Sequence, residues 1–336
     1  MRSTSHTGWT VLALSLLITV TSAMTNRPVG RDLTRSLEPW IEQLSWKPRA
    51  YLYHNFLTAA DADHLVAIAK PLMQRSTVVG LGGKSVLDNV RTSYGTFLRR
   101  YQDPVVAAME ERLASWTKLN ITHQEDTQIL RYGPGQKYGA HYDSLDNDSP
   151  RTATVLVYLA DTEEGGETAF PTGSEWVDPA LEQRLGPFSS CAQGSVAARP
   201  RKGDALLFHS LKPDGTHDPA AMHTGCPVVK GTKWTATKWI HTKPFRPEGF
   251  PDHTPLPEIP VPEICSDRDE RCPGWVESGQ CSSNSGFMVG DMFQLGVCRK
   301  SCGACKDCEQ GDVVCLSENR EKAGFLPLNL ETGEII

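Results

Sequence analysis

The stretch HTGCPVVKGTKWTATKWIH, residues 223–241, decides how the chain folds. Its last nine residues are rich in β-branched and aromatic side chains, the composition of a strand, and successive strand residues point to opposite faces. Lys233, Thr235, Thr237, Trp239 and His241 therefore share one face, and Trp234, Ala236, Lys238 and Ile240 the other. Pro227 and Gly231 interrupt the run before this strand. A turn centred near Val228 sets His223 opposite Lys233, so that a histidine and a lysine enter one cavity. Taken alone, Lys233 reads as a solvated strand lysine; a buried one needs a negative partner.

A second polar pair lies upstream, in AHYDSLDND, residues 140–148. His141 and Asp143 are two apart and share a strand face just after the glycine-rich run at Tyr132. Most His-x-Asp triplets are surface strands near a turn, so a metal reading needs a third donor. His209, His217, His223, His241 and His253 are the candidates downstream. His253 falls in a proline-rich stretch and His217 in a turn-rich loop, whereas His223 already faces the cavity of Lys233. Two imidazoles and one carboxylate that leave open positions form the site type of non-haem Fe(II) oxygenases. A dicarboxylic co-substrate could chelate such a metal at one end and pair with Lys233 at the other.

The surrounding chain predicts an α+β domain. TAADADHLVAIAKP reads as a helix capped by Thr58, with Leu65, Ile68 and Ala69 on one face. DPVVAAMEERLASW reads as a second helix, with Asp103 as cap, Pro104 at its first position and Leu113 and Trp116 inward. TATVLVYLA, GGETAFP and GDALLFHS join KWTATKWIH as strands. Helices first and strands after predict a jelly roll buttressed by N-terminal helices. The polar, glycine-rich residues 79–95 suit a loop over the site. Residues 24–45 read as a leader, 46–245 as the main domain, 246–264 as a proline-rich linker, 265–305 as a cysteine module and 306–336 as a tail.

A net charge of −6 argues against a nucleic-acid partner, which needs a basic face. From Trp9 to Ala23 the chain carries no charge after a basic start, the pattern of a secretory signal over residues 1–23. A retained signal-anchor, and with it membrane attachment, is the alternative to cleavage. Ten cysteines, eight of them between Cys265 and Cys315, call for an oxidising compartment. The secretory pathway, with the main domain in the lumen of the endoplasmic reticulum, is the expected location. Asn120 and Asn147 begin glycosylation sequons, which chance supplies often.

The segments WKPRAYLYHNFLT, RTSYGTFL, LRYGPGQKYGAHYD, GGETAFP, KGDALLFHS and HTGCPVVKGTKWTATKWIH occur in this order from Trp46 to His241. Together they resemble the prolyl 4-hydroxylases of plants and green algae, Fe(II)/2-oxoglutarate dioxygenases on a double-stranded β-helix. The resemblance implies iron ligation by His141, Asp143 and His223, with Lys233 on the far carboxylate of 2-oxoglutarate, helped by Tyr132 and Thr168. It assigns a proline-rich polypeptide to Tyr138, Arg151, Trp239 and His241. It also implies O2 consumption, release of succinate and CO2, hydroxylation at proline C4, and ascorbate to keep the iron reduced. Two departures, Ala140 where proline is usual and a short interval from Asp143 to Arg151, touch no ligand position. A non-catalytic binder of proline-rich chains and a dioxygenase acting on another residue are the competing readings. The triad and Lys233 speak against the first.

The cysteine segment ends CRKSCGAC, and six cysteines permit fifteen pairings. It resembles the ShKT module of sea-anemone toxins and many secreted enzymes, which implies Cys265–Cys305, Cys272–Cys298 and Cys281–Cys302. Cys308 would then pair with Cys315, and Cys191 with Cys226, bracing the strand of His223.

Overall fold

A computed structural model describes residues 38–79, 85–144, 147–245, 261–291 and 294–336. The apolar N-terminal run, both readings of it as signal or anchor, and most of the proline-rich linker lie outside the described residues. Among the described residues no helix is long and apolar enough to cross a membrane.

Two antiparallel sheets form the frame. The larger has nine strands, ordered Glu175–Trp176, Trp40–Lys47, Arg49–His54, Ala205–His209, Arg151–Tyr158, Lys233–His241, Thr127–Tyr132, Tyr94–Leu98 and Gln74–Arg75. The smaller is ordered Val196–Ala198, Thr168–Phe170, His223–Gly225 and Tyr138–His141. The strand Lys233–His241 lies deep in the larger sheet, and all nine of its residues are buried. Its alternation separates two interiors. Trp234, Ala236 and Ile240 pack with Ile129, Val155 and the two helices, α1 (Ala59–Ala69) and α2 (Pro104–Thr117). Lys233, Thr235, Thr237 and Trp239 line a cavity that residues of the smaller sheet also line.

Each helix starts where its cap dictates. Thr58 Oγ1 accepts from Asp61 N at 3.1 Å, and Asp103 Oδ1 accepts from Val105 N and Val106 N at 2.8 and 3.1 Å. Such caps satisfy amide groups that the helix leaves without partners. Ala62, Leu65 and Ala69 of α1 are fully buried, while Ile68 only borders the core. On α2, Glu110 faces Lys238 in a buried ion pair, and Lys238 Nζ also donates to Thr127 Oγ1 at 3.1 Å. A lysine on the helix-facing side is tolerated because a carboxylate meets it there.

Two expectations need correcting. Strands precede the helices: Trp40–Lys47 and Arg49–His54 form a hairpin within the larger sheet. The first begins inside the stretch read as a leader. A register shift between Gln43 and Ser45 breaks its two-residue period and hides it from pattern reading. Nor does His223 pair with Lys233. His223 pairs with His141 in the smaller sheet, and Lys233 pairs with Tyr132 in the larger. Between them the chain crosses from sheet to sheet, through the short strand Val228–Lys230 pairing with Glu164–Gly165. Gly165 has φ +74, and a Cβ there would lie 2.3 Å from Pro227 O, so only glycine admits this crossing.

Five disulfides close: Cys191–Cys226, Cys265–Cys305, Cys272–Cys298, Cys281–Cys302 and Cys308–Cys315. The first ties residues 35 apart and anchors the segment just after His223. Replacing both Cys191 and Cys226 with serine should lower stability by about 3–4 kcal/mol, because the unfolded chain regains the freedom of a long loop. Urea unfolding of the double variant checks this; an unchanged midpoint would show that packing alone holds the segment.

Candidate active site

His141 ends the strand Tyr138–His141, Asp143 follows two residues later, and His223 begins the neighbouring strand. One ligand atom from each lies within 4.8 Å of the others. His141 Nε2 is 3.5 Å from Asp143 Oδ1, and His223 Nε2 is 3.6 Å from Asp143 Oδ2. Backbone carbonyls decide which nitrogen faces inward. His141 Nδ1–H donates to Gly139 O at 2.8 Å and His223 Nδ1–H to Ala221 O at 3.0 Å, each two residues back. Both Nε2 lone pairs are thereby left for a metal. Tyr138 stacks on the His141 ring at 3.6 Å, and Phe208 packs against His223 at 4.6 Å.

Charge follows from the same contacts. Burial opposes ionisation of Asp143, but His223, His141 and the Thr154 hydroxyl, which donates to Oδ2 at 2.6 Å, outweigh it. The carboxyl is held well below the usual carboxylate range. Burial pushes His223 down to about 4 against the pull of Asp143, so its imidazole is neutral at pH 7. Two imidazole nitrogens and one anionic oxygen, pre-oriented by their hydrogen bonds, suit a divalent iron with positions left open.

Lys233 lies in the same cavity and is 4% exposed. Its Nζ reaches Thr168 Oγ1 at 3.5 Å and sits 5.6 and 5.8 Å from the ring centres of Tyr132 and Tyr158. Burial lowers its pKa to about 7, opposed by the charge of Glu167. That carboxylate is engaged elsewhere, accepting from Ser189 N and Oγ at 2.7 and 2.8 Å. Thr235 Oγ1, Thr237 Oγ1 and Trp239 Nε1 on the same cavity wall are buried without hydrogen-bond partners. The Lys233 amine and the two threonine hydroxyls indicate a wall built for an anionic, hydrogen-bonding ligand, with the Trp239 N–H set beyond them for another.

The residues expected to touch peptide separate. Tyr138 and Trp239 line the cavity, and the Arg151 guanidinium lies 4.0 Å from the Trp239 ring centre. His241 turns away. The register shift between Ile240 and His241 is taken up on the neighbouring strand, where Thr152 is the extra residue, so His241 pairs with Arg151. Its Nδ1 is 2.5 Å from Ser149 O and its Nε2 2.7 Å from Glu125 Oε1. Glu125 Oε1 also accepts from Arg151 Nε at 2.6 Å, so His241 and Arg151 share one carboxylate. Burial raises the Glu125 pKa less than the hydrogen bonds from His241 and Arg151 lower it, and the group stays ionised.

Sequence reasoning missed Glu125 and Arg91. Arg91 is buried in the cavity wall, donates to Gln128 Oε1 at 2.8 Å and lies 4.7 Å from the Tyr138 ring centre. Its place in the polar stretch expected to lie over the site, at the head of the segment RTSYGTFL, was the available signal.

Such donor chemistry on facing antiparallel sheets is that of iron oxygenases that consume a 2-oxo acid. The profile of the 2OG-Fe(II) oxygenase superfamily matches residues 127–241. Probable prolyl 4-hydroxylase 4 of Arabidopsis thaliana is 42% identical over 272 residues, covering 79% of this chain and 88% of that protein. Probable prolyl 4-hydroxylase 6 of the same plant is 41% identical over 303 residues, covering 88% of this chain and 98% of that protein. The crystal structure of a viral collagen prolyl hydroxylase from Paramecium bursaria Chlorella virus-1, in complex with 2OG, shares 27% identity. It covers 58% of this chain and 96% of its own, with a TM-score of 0.43. The chain belongs to the prolyl 4-hydroxylases, 2-oxoglutarate-dependent dioxygenases that use Fe(II).

Proposed function

We propose that the chain hydroxylates C4 of peptidyl proline in proline-rich secretory or cell-wall-type proteins, with His141, Asp143 and His223 holding the iron. One observation carries the assignment of roles: the triad and the buried Lys233 ammonium line a single cavity. Iron held there would supply, with O2 and 2-oxoglutarate, the oxidant for the proline C–H bond, with succinate and CO2 as co-products. The protein's own residues position and exclude. Lys233 and Thr168 take the distal carboxylate of 2-oxoglutarate, and Tyr132 closes the cavity beside them. Thr154 holds Asp143 ionised in one orientation, while Phe208 and Tyr138 shield the imidazoles from water.

Tyr138, Trp239 and Arg151 form the peptide wall, with His241 and Glu125 acting behind Arg151 as positioning residues. A proline-rich chain is already extended, so it docks on aromatic faces with little loss of entropy. Ascorbate serves as reductant for iron oxidised in unproductive turnovers. Residues 265–305 are an ShKT-like module, supported by the three disulfides that close within them. Five disulfides with no free cysteine fit folding in the lumen of the endoplasmic reticulum.

The test is to supply Fe(II), 2-oxoglutarate, ascorbate and poly-proline, and to look by mass spectrometry for one added oxygen on proline. Succinate without oxygen gain on any proline peptide would point to another acceptor residue; no succinate would point to a binding protein. Trp239→Ala should raise the KM for poly-proline about tenfold while leaving the KM for 2-oxoglutarate unchanged. Steady-state kinetics with each substrate varied in turn checks the split.

A further inference from the structure

We propose that the C-terminal strap, residues 320–326, is a positioning element for peptide capture: by completing the edge of the nine-stranded sheet it holds Arg91 against Tyr138. The proposal rests on reading Tyr138 as a peptide contact.

Gln74–Arg75 is the outermost strand of that sheet and has two residues. So short an edge has little stability of its own. The C-terminal segment supplies what it lacks. Gln74 and Phe325 face each other in an antiparallel bridge; Arg75 N donates to Gly324 O at 2.8 Å and Leu326 N to Met73 O at 3.1 Å. Leu326 is 1% exposed and belongs to the same core as α1 and α2. Arg320, buried on the last helix, Val313–Lys322, clamps the junction. Its Nε donates to Leu326 O at 2.6 Å and its Nη2 to Pro71 O at 3.3 Å.

From the strand's other side the contacts run on to the cavity. Arg75 Nη1 donates to Thr92 O at 3.1 Å, Ser76 N to Ser93 O at 2.9 Å, and Ser93 Oγ to Ser76 Oγ at 2.8 Å. Arg91 Nη1 donates to Thr77 O at 3.3 Å, and Arg91 forms a backbone bridge with Tyr138, whose ring stacks on His141. Strap, edge strand, Arg91 and Tyr138 thus form one unbroken series of hydrogen bonds and packed rings.

The experiment uses the full chain with Arg320→Ala, Arg91→Ala, the double variant and Tyr138→Ala, assayed with poly-proline, Fe(II) and 2-oxoglutarate. Arg320→Ala should raise the KM for poly-proline about tenfold with kcat and the KM for 2-oxoglutarate retained, and should add less than about twofold once Arg91 is alanine. A chain ending at Ala323 should show the same split, more strongly. Equal effects of Arg320→Ala in both backgrounds, or kcat and both KM values falling off together with the melting temperature, would reduce the strap to a stability element. If Tyr138→Ala leaves the KM for poly-proline unchanged, the peptide-contact reading itself falls. If Tyr138→Ala raises that KM and Arg320→Ala does not, the strap proposal falls alone.

Discussion

Replacing His223 with alanine is expected to abolish hydroxylation, by about a thousandfold or more, since the metal carries the chemistry and a donor is gone. The reason lies in how few groups can substitute. His223 Nε2 is 3.6 Å from Asp143 Oδ2, its ring is buried, and its Nδ1 is fixed by Ala221 O. Apart from His141 and Asp143, which already serve as donors, the rings packed on it are Phe208 and Phe170, neither of which can ligate a metal. Metal analysis of the purified variant should show lost iron, while the melting temperature of the metal-free protein changes little. The metal-free comparison matters because it separates a lost ligand from a lost fold. Iron retained at one equivalent, with activity, would overturn the triad.

Lys233→Met should have the second-largest effect, and of opposite sign on two quantities. Binding of 2-oxoglutarate loses its counter-charge, so the KM for it rises by about two orders of magnitude. Stability of the ligand-free protein rises. Burial lowers the Lys233 pKa from 10.5 to about 7, so folding works against the protonated lysine; this cost is full below pH 7 and fades as pH climbs toward 10.5. Methionine removes that cost, and the gain in melting temperature should be largest in acid and vanish in alkali. With its pKa lowered to about 7, Lys233 is protonated further when a 2-oxoglutarate dianion binds at neutral pH, so binding takes up a fraction of a proton and weakens as pH rises beyond that point. Calorimetry in buffers of different ionisation enthalpy reads the proton directly. A KM for 2-oxoglutarate that does not change in the variant would remove Lys233 from the site.

Much of this site was legible because strand alternation is a local rule. It placed Lys233, Thr235, Thr237 and Trp239 on one wall from nine residues of sequence. It misled at Trp40–Lys47, where a register shift follows Gln43, and it overreached at His241, which lies beyond the cavity lining. An irregularity of one residue leaves no mark in composition, yet reverses every later side chain. The pairing of His223 with Lys233 failed for a different reason. Two segments joined by a short turn read as a hairpin, whereas here the turn carries the chain between sheets, packed against Gly165, which is distant in sequence. Arg91 and Glu125 are placed by partners distant in sequence, Tyr138 and the pair of Arg151 and His241. Nothing periodic announces such residues.

The strand Lys233–His241 holds two lysines of opposite fate: Lys238, sealed against Glu110 beneath α2, and Lys233, left bare in the cavity. They are five apart, so they fall on opposite walls. Sliding the ribbon by a single step would thrust Lys238 among the iron donors and strand Glu110, uncompensated, in oil. The very charges that make the interior awkward therefore act as a proofreading key, rejecting the misaligned sheet before the enzyme is finished.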